Sequence, residues 1–148
     1  MAFHFTLKAL LRLREALEKA ELDKLRTIAT QVIHLRDEIE SLNREADEEH
    51  RMMLAAAVQG ITGAELRFAA LCESAYKQRH STLVQKLDDL ELERQKCLNR
   101  YAEVRRQREI LSNLRERKLA EYNIGQSRRE QQQLDELFLM RRGNQYNA

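Results

Sequence analysis

The stretch VQGITGAE at residues 58–65 decides the fold. No glycine or proline lies between Thr6 and this stretch, so its two glycines are the strongest helix breakers in the first 120 residues. Thr62 followed three residues later by Glu65 is a capping-box pattern, in which each side chain satisfies a free backbone N–H at a helix start. The stretch therefore predicts one chain reversal, followed by a second helix that begins near Gly63.

Apolar residues recur in steps of three and four on both sides of the reversal, as in a coiled coil. If the chain turns back near Ile61, the two series align, so that Ile39 meets Leu83 and Leu35 meets Leu87. The first series is Leu25, Ile28, Val32, Leu35, Ile39, Leu42 and Ala46; the second is Tyr76, Leu83, Leu87, Leu90, Cys97, Tyr101, Val104 and Leu111, interrupted by His80, Arg94 and Arg108. The predicted fold class is all-α, with two long helices forming an antiparallel coiled-coil hairpin whose second helix is longer. The structural alternative is an extended helix that dimerises.

The predicted domain organisation is a single coiled-coil hairpin over residues 1–148. Helix one covers about 4–58, the turn 59–63 and helix two about 64–122, followed by a weaker helix or tail over 123–148. Gly125 lies near the point on helix two that faces the start of helix one. Gly in a helix costs about 1 kcal/mol relative to Ala, so a joint or fraying point is expected there. Beyond it, an apolar stripe lacks an intramolecular partner, which suggests a docking element.

Charge is distributed unevenly along a chain whose formal net charge is only +2. Residues 37–49 carry seven acids and one base, whereas residues 94–142 carry thirteen Lys and Arg against seven Asp and Glu. Basic clusters in the second half could bind phosphates, but acids interleave with them, which is typical of a solvent-facing helix. Nucleic acid is therefore not an expected partner, although binding of a polyanion by this helix or of an acidic protein stays open.

No motif for catalysis, a cofactor or a metal is recognisable. Asp47 and His50 form one acid-x-x-His step, whereas helical di-iron sites need two such steps and further carboxylates. A Gly-rich phosphate loop, a nucleophile elbow and a Cys-x-x-Cys pair are lacking. Cys72 and Cys97 lie about 38 Å apart on one predicted helix, too far for a disulfide, and free thiols fit a cytoplasmic protein. No apolar run approaches the roughly 20 residues of a spanning helix, so membrane insertion is not expected.

Four segments in order resemble the flagellar export protein FliJ family. They are the opening FHFTL at residues 3–7, LRE at 13–15, GIT at 60–62 and REQQQLDEL at 129–137. Their order, the chain length and the position of the turn extend the resemblance over nearly the whole chain.

The resemblance implies a non-enzymatic component of the flagellar type III protein export apparatus. Such a protein couples the hexameric export ATPase ring to the cytoplasmic part of the export gate, and it escorts export chaperones. It is expected to be cytoplasmic, peripheral to the inner membrane at the flagellar base, with no cofactor. The alternative is a general coiled-coil scaffold or a chaperone-like binding module.

The resemblance also implies two partner-binding sites. The gate-contacting face near the turn falls on Leu42, Cys72, Tyr76 and Leu83, although the register places Tyr76 and Leu83 in the coiled-coil seam. Glu45 and Glu49 occupy positions where the family can carry aromatic residues. For the end that faces the ATPase ring, the expected residues are Arg105, Arg108, Arg115 and Arg117, with Leu134, Leu137 and Phe138 as an apolar anchor.

Overall fold

The chain folds into two α-helices joined by a tight turn. The computed structural model describes residues 2–147, and these contain α1 (Lys8–Gln59), α2 (Gly63–Tyr146) and no β-strand. The second helix is the longer one, with 84 residues against 52. The predicted all-α hairpin is confirmed.

The turn at Gly60 forms as the sequence predicts. Gly60 adopts a φ of 97°, a left-handed conformation that glycine tolerates without steric cost, and its N–H donates to the Ala57 carbonyl oxygen at 3.2 Å. The Glu65 N–H donates to the Thr62 hydroxyl oxygen at 3.2 Å, so Thr62 caps the start of α2. A Cβ at position 60 would meet open space, so backbone conformation alone favours glycine there.

The start of α1 and the end of α2 differ from the sequence prediction. α1 begins at Lys8 rather than near residue 4, after a short turn in which the Lys8 N–H donates to the Phe5 carbonyl oxygen at 3.2 Å. α2 runs without interruption through Gly125 to Tyr146, where the sequence predicted a joint or fraying point followed by a weaker helix or tail. One glycine costs about 1 kcal/mol. The residues on either side include no proline and many Arg, Gln, Glu and Leu, whose high helix propensity compensates this cost.

The chain divides into two compact units where the sequence predicted a single domain. The terminal unit holds the residues up to Glu18 and those from Glu103 onward, and the turn unit holds Lys19–Ala102. In a pair of helices each residue touches only its neighbours along and across the seam. Contacts between the two helices therefore stay local, which is consistent with a division into two units.

The core of the turn unit follows the predicted seam. Leu35, Leu42 and Leu83 form a buried cluster, and Ile39, Tyr76, Leu87 and Leu90 pack against it. Val32, with 2% of its surface exposed, and Cys97, with 5%, are buried in the same unit. Arg36 and Glu91 join the two helices beside this core, with Nη2 and Oε1 separated by 2.5 Å.

In the terminal unit, apolar residues near the start of the chain are covered by α2. Phe5 and Leu11 are buried, and the rings of Phe3 and Tyr122 lie 5.6 Å apart at an interplanar angle of 54°. Tilted aromatic pairs at this distance are favourable. The Phe3 contact fixes how far along α2 the described start of the chain reaches.

We expect Leu83→Ala to lower the free energy of unfolding by about 2–5 kcal/mol, because it opens a cavity among the buried leucines. Leu92→Ala is the matched control on the same helix, since Leu92 is 64% exposed, and its effect should stay within about 0.5 kcal/mol. Urea unfolding followed by circular dichroism measures both. Equal effects of the two substitutions would contradict the assignment of the seam.

Candidate partner-binding surfaces

A polar cluster interrupts the seam of the terminal unit. The Arg108 guanidinium donates two hydrogen bonds to the Glu18 carboxylate, from Nε at 2.6 Å and from Nη2 at 3.2 Å. The side chains are 25% and 17% exposed, so the ion pair is largely shielded from water. Arg14 donates from Nη1 to the Gln107 side-chain oxygen in the same region. The hydrogen bond to Glu18 is the main reason that the pKa of Arg108 is raised.

Sequence reasoning noticed Arg108 as an interruption of the stripe but missed its partner. The signal was present, because the predicted register places Arg108 opposite residues near Arg14, and Glu18 lies one helical turn from there. An arginine and a glutamate at facing seam positions are chemically complementary. Arg108 is thus engaged within the chain and is a poor candidate for contact with a partner.

The other three arginines of the expected ring-facing end are exposed. Arg105 pairs with Glu109 on its own helix, Nε to Oε1 at 3.0 Å. Arg115 and Arg117 form no ion pair with any residue of the described range 2–147. These two guanidinium groups are therefore free to bind an acidic partner surface.

The end of α2 is uncovered. From Ser127 through Asn147 every described residue is exposed, and we call residues 127–146 the terminal segment. The expected anchor residues lie within it, with Leu134 61%, Leu137 56% and Phe138 64% exposed. Leu139 and Met140 are exposed as well. A contiguous apolar surface of this kind on a helix typically marks a site of protein association.

The four expected gate-contacting residues divide into two pairs. Leu42 and Leu83 are buried at 4% and 5% exposure, which makes them core residues that a partner does not reach in this structure. Cys72 and Tyr76 are partly accessible. Around the turn, large apolar side chains are exposed that the sequence analysis did not single out, namely Leu54, Val58, Leu66, Phe68 and Leu71. Apart from Leu66, these residues fall outside the continued seam spacing, and their outward-facing positions were the available signal.

Tyr76 lies near two acidic side chains, Glu45 and Glu49. Its pKa is raised above the ordinary value, first because the phenol is partly withdrawn from water, and next because Glu49 and Glu45 disfavour a nearby phenolate. Arg79 acts in the opposite direction. The acidic section over residues 37–49 has one ion pair to α2 in the described structure, between Glu38 and Arg79 at 3.7 Å. Most of its carboxylates are left to face solvent or a partner.

We found no group of three or more His, Cys, Asp or Glu side chains within residues 2–147 that could hold a metal ion. Both cysteines are free thiols. A groove in the turn unit, lined by Gln31, His34, Leu35, Glu38, Lys86, Asp89 and Leu90, is open to solvent. Neither described helix contains a stretch apolar and long enough to cross a membrane.

Two long helices with a shared seam, free thiols and exposed charged and apolar surfaces define a coiled-coil hairpin protein. Residues 3–146 match the family model described as Flagellar FliJ protein. The chain therefore belongs to the FliJ family and is a component related to flagellar export. No curated protein and no solved structure matches it.

We expect Arg108→Met to lower the free energy of unfolding by about 1–3 kcal/mol, because it leaves the shielded Glu18 carboxylate without its partner. The double variant Glu18→Met, Arg108→Met should recover most of this loss, since two apolar side chains can pack in the seam. Arg105→Met, which breaks the exposed pair to Glu109, is the control and should cost no more than about 0.5 kcal/mol. Urea unfolding measures these changes. If the loss of the double variant equalled the sum of the losses of Glu18→Met alone and Arg108→Met alone, the two residues would not be coupled.

We expect the Tyr76 phenol to titrate above the ordinary pKa of 10.0. Because the folded chain holds this proton more tightly than the unfolded chain, stability should fall as pH rises from that ordinary value through the folded pKa. The absorbance of tyrosinate is followed as pH rises in the wild-type chain and in Tyr76→Phe. The difference between the two titrations isolates the Tyr76 phenol from the other tyrosines. Glu45→Gln with Glu49→Gln should lower the Tyr76 pKa, and Glu48→Gln should change it less. An unchanged Tyr76 pKa in the double variant would refute the proposed effect of Glu45 and Glu49 on this phenol.

Proposed function

We propose that this protein is a non-enzymatic coupling component of the flagellar export apparatus. Its terminal unit binds the hexameric export ATPase, and its turn unit binds the cytoplasmic part of the export gate. The protein also escorts export chaperones. This assignment places it in the cytoplasm, peripheral to the inner membrane at the flagellar base.

The observation that carries the proposal is the division of exposed surfaces between the two units. The terminal unit exposes Arg115, Arg117 and the apolar terminal segment, whereas the turn unit exposes an acidic section and apolar side chains around the turn. Two chemically different surfaces on one covalent chain are suited to binding two different partners. Membership in the FliJ family supports the flagellar setting.

At the ring end, the binding chemistry is attraction between guanidinium groups and acidic side chains, together with burial of the terminal segment. Arg115 and Arg117 are the residues we assign to this contact, because Arg108 and Arg105 are paired within the chain. Leu134, Leu137 and Phe138 form the apolar anchor. To influence the ATPase, this surface must bind one state of the ring more tightly than another, since equal binding shifts no equilibrium.

At the gate end, we assign the contact to Cys72 and Tyr76 together with the exposed apolar residues near the turn. Leu42 and Leu83 belong to the buried cluster against which Tyr76 packs. The neighbouring acids Glu45 and Glu49 favour a partner segment that carries basic side chains.

The test is ATPase turnover of the cognate ring at increasing concentrations of this protein. We expect the wild-type chain to raise turnover, and the double variant Arg115→Glu, Arg117→Glu to need about tenfold more protein, because like charges replace attractive ones. The control is Arg26→Glu with Lys86→Glu, which makes the same change in net charge at exposed positions of the turn unit. If turnover does not respond to the wild-type protein, the coupling function is refuted.

A second pair of variants tests chaperone escort. Replacing Leu134, Leu137 and Phe138 together with serine should abolish capture of purified export chaperones, because it removes the apolar surface of the terminal segment. The variant with Arg115→Glu and Arg117→Glu should still capture them. Chaperone capture by the serine variant at the wild-type level would rule out escort through this segment.

A further inference from the structure

The terminal segment is a helix without tertiary contacts. Its twenty residues are all exposed. No described residue that precedes α2 covers them, because Phe3, near the start of the described chain, already contacts α2 at Tyr122. Short helices without packing partners are marginal in water, since most helical stability in proteins comes from burial of an apolar face. An occupant for this face would stabilise the segment.

The apolar face of the terminal segment follows a heptad. Leu134 and Leu137 lie at the two seam positions, and Phe138 and Met140 lie at the positions that flank them. One turn further out, the same seam carries Glu130 on the N-terminal side and Arg141 on the C-terminal side. The face is therefore apolar in the middle and oppositely charged at its two ends.

This arrangement is complementary to itself when two copies run in opposite directions. Leu134 of one copy then faces Leu137 of the other, and Glu130 faces Arg141 in the layers on both sides. A parallel pair would instead set Glu130 against Glu130 and Arg141 against Arg141, which is repulsive. A two-fold interface that uses one patch on both copies is also the commonest form of protein association.

We propose that two copies of this chain pair through their terminal segments as an antiparallel two-helix interface. The pairing concerns the free protein and does not rest on the proposed coupling function. Because it covers Leu134, Leu137 and Phe138, the paired form cannot offer these residues to another partner. The contact from Glu130 to Arg141 extends over about 17 Å of helix with two central apolar layers, so the association is weak and depends on protein concentration.

Charge exchange tests both the partner and the direction. In sedimentation equilibrium of the full-length protein, from low micromolar to several hundred micromolar, we expect reversible dimerisation of the wild-type chain. Glu130→Arg alone and Arg141→Glu alone should each weaken it about tenfold, because each places like charges at both ends of the interface. An equimolar mixture of the two variants should regain the wild-type association as a mixed dimer, since every outer layer then joins Arg to Glu.

Two control variants change the same charges away from the seam. Arg129 and Glu136 lie on the opposite face of the terminal segment, and Arg129→Glu or Glu136→Arg should alter the dimer constant by no more than about twofold. Leu137→Ser should abolish dimerisation. All these side chains are exposed in the single chain, so the fold tolerates the changes.

Three results would overturn the proposal. The wild-type chain could remain monomeric throughout the concentration range. The mixture of Glu130→Arg and Arg141→Glu could fail to form a mixed dimer. Glu130→Arg could pair with the wild-type chain more tightly than the wild-type chain pairs with itself, which is the signature of a parallel interface. None of these results bears on ATPase stimulation, which is measured separately.

Discussion

A helix that packs against one other helix can bury only one narrow stripe of its surface, and this constraint governs the molecule. The buried side chains within residues 2–147 are few and nearly all lie on that stripe, including Val32, Leu42 and Leu83. Leucines elsewhere, such as Leu92, stay in water. Each seam residue therefore carries a large share of the stability that opposes chain entropy, and the remaining surface is free to vary without affecting the fold.

Two different chemistries define the seam. In the turn unit, leucine packing supplies the stabilisation, whereas in the terminal unit Glu18 and Arg108 take seam positions and satisfy each other. A shielded ion pair adds little net stability compared with apolar packing, because desolvation offsets its attraction. We expect its contribution to be to the specificity of the register. A shift of the helices that separated Glu18 from Arg108 would leave shielded charges unpaired, whereas an all-leucine seam tolerates such shifts.

The sequence predicted the features that depend on local chemistry and periodicity. Gly60 and Thr62 located the turn because left-handed backbone and N-capping require particular residue types, and the spacing of Leu35 and Leu87 located the seam. It did not predict the role of Arg108, because an isolated charge on a stripe looks like a defect until its partner across the seam is known. The uninterrupted course of α2 through Gly125 was also not predicted, since a propensity cost of about 1 kcal/mol does not say whether the neighbouring turns compensate it.

The candidate binding surfaces follow from the same constraint. Because a two-helix fold supplies exposed faces, recognition must come from the residues that the seam leaves outside. Periodicity identifies those residues as outward-facing but is silent on which of them bind, since a solvated charged face and a docking face share one pattern. The structure reduces the number of candidate binding residues, because it shows which side chains already pair with another side chain of the same chain. In the described part of the chain, Arg105 and Arg108 pair with carboxylates and Arg115 and Arg117 do not. A guanidinium already held by a carboxylate must lose that contact before it can bind another. Unpaired charges and uncovered apolar residues therefore associate at the lowest cost, and the terminal unit carries both.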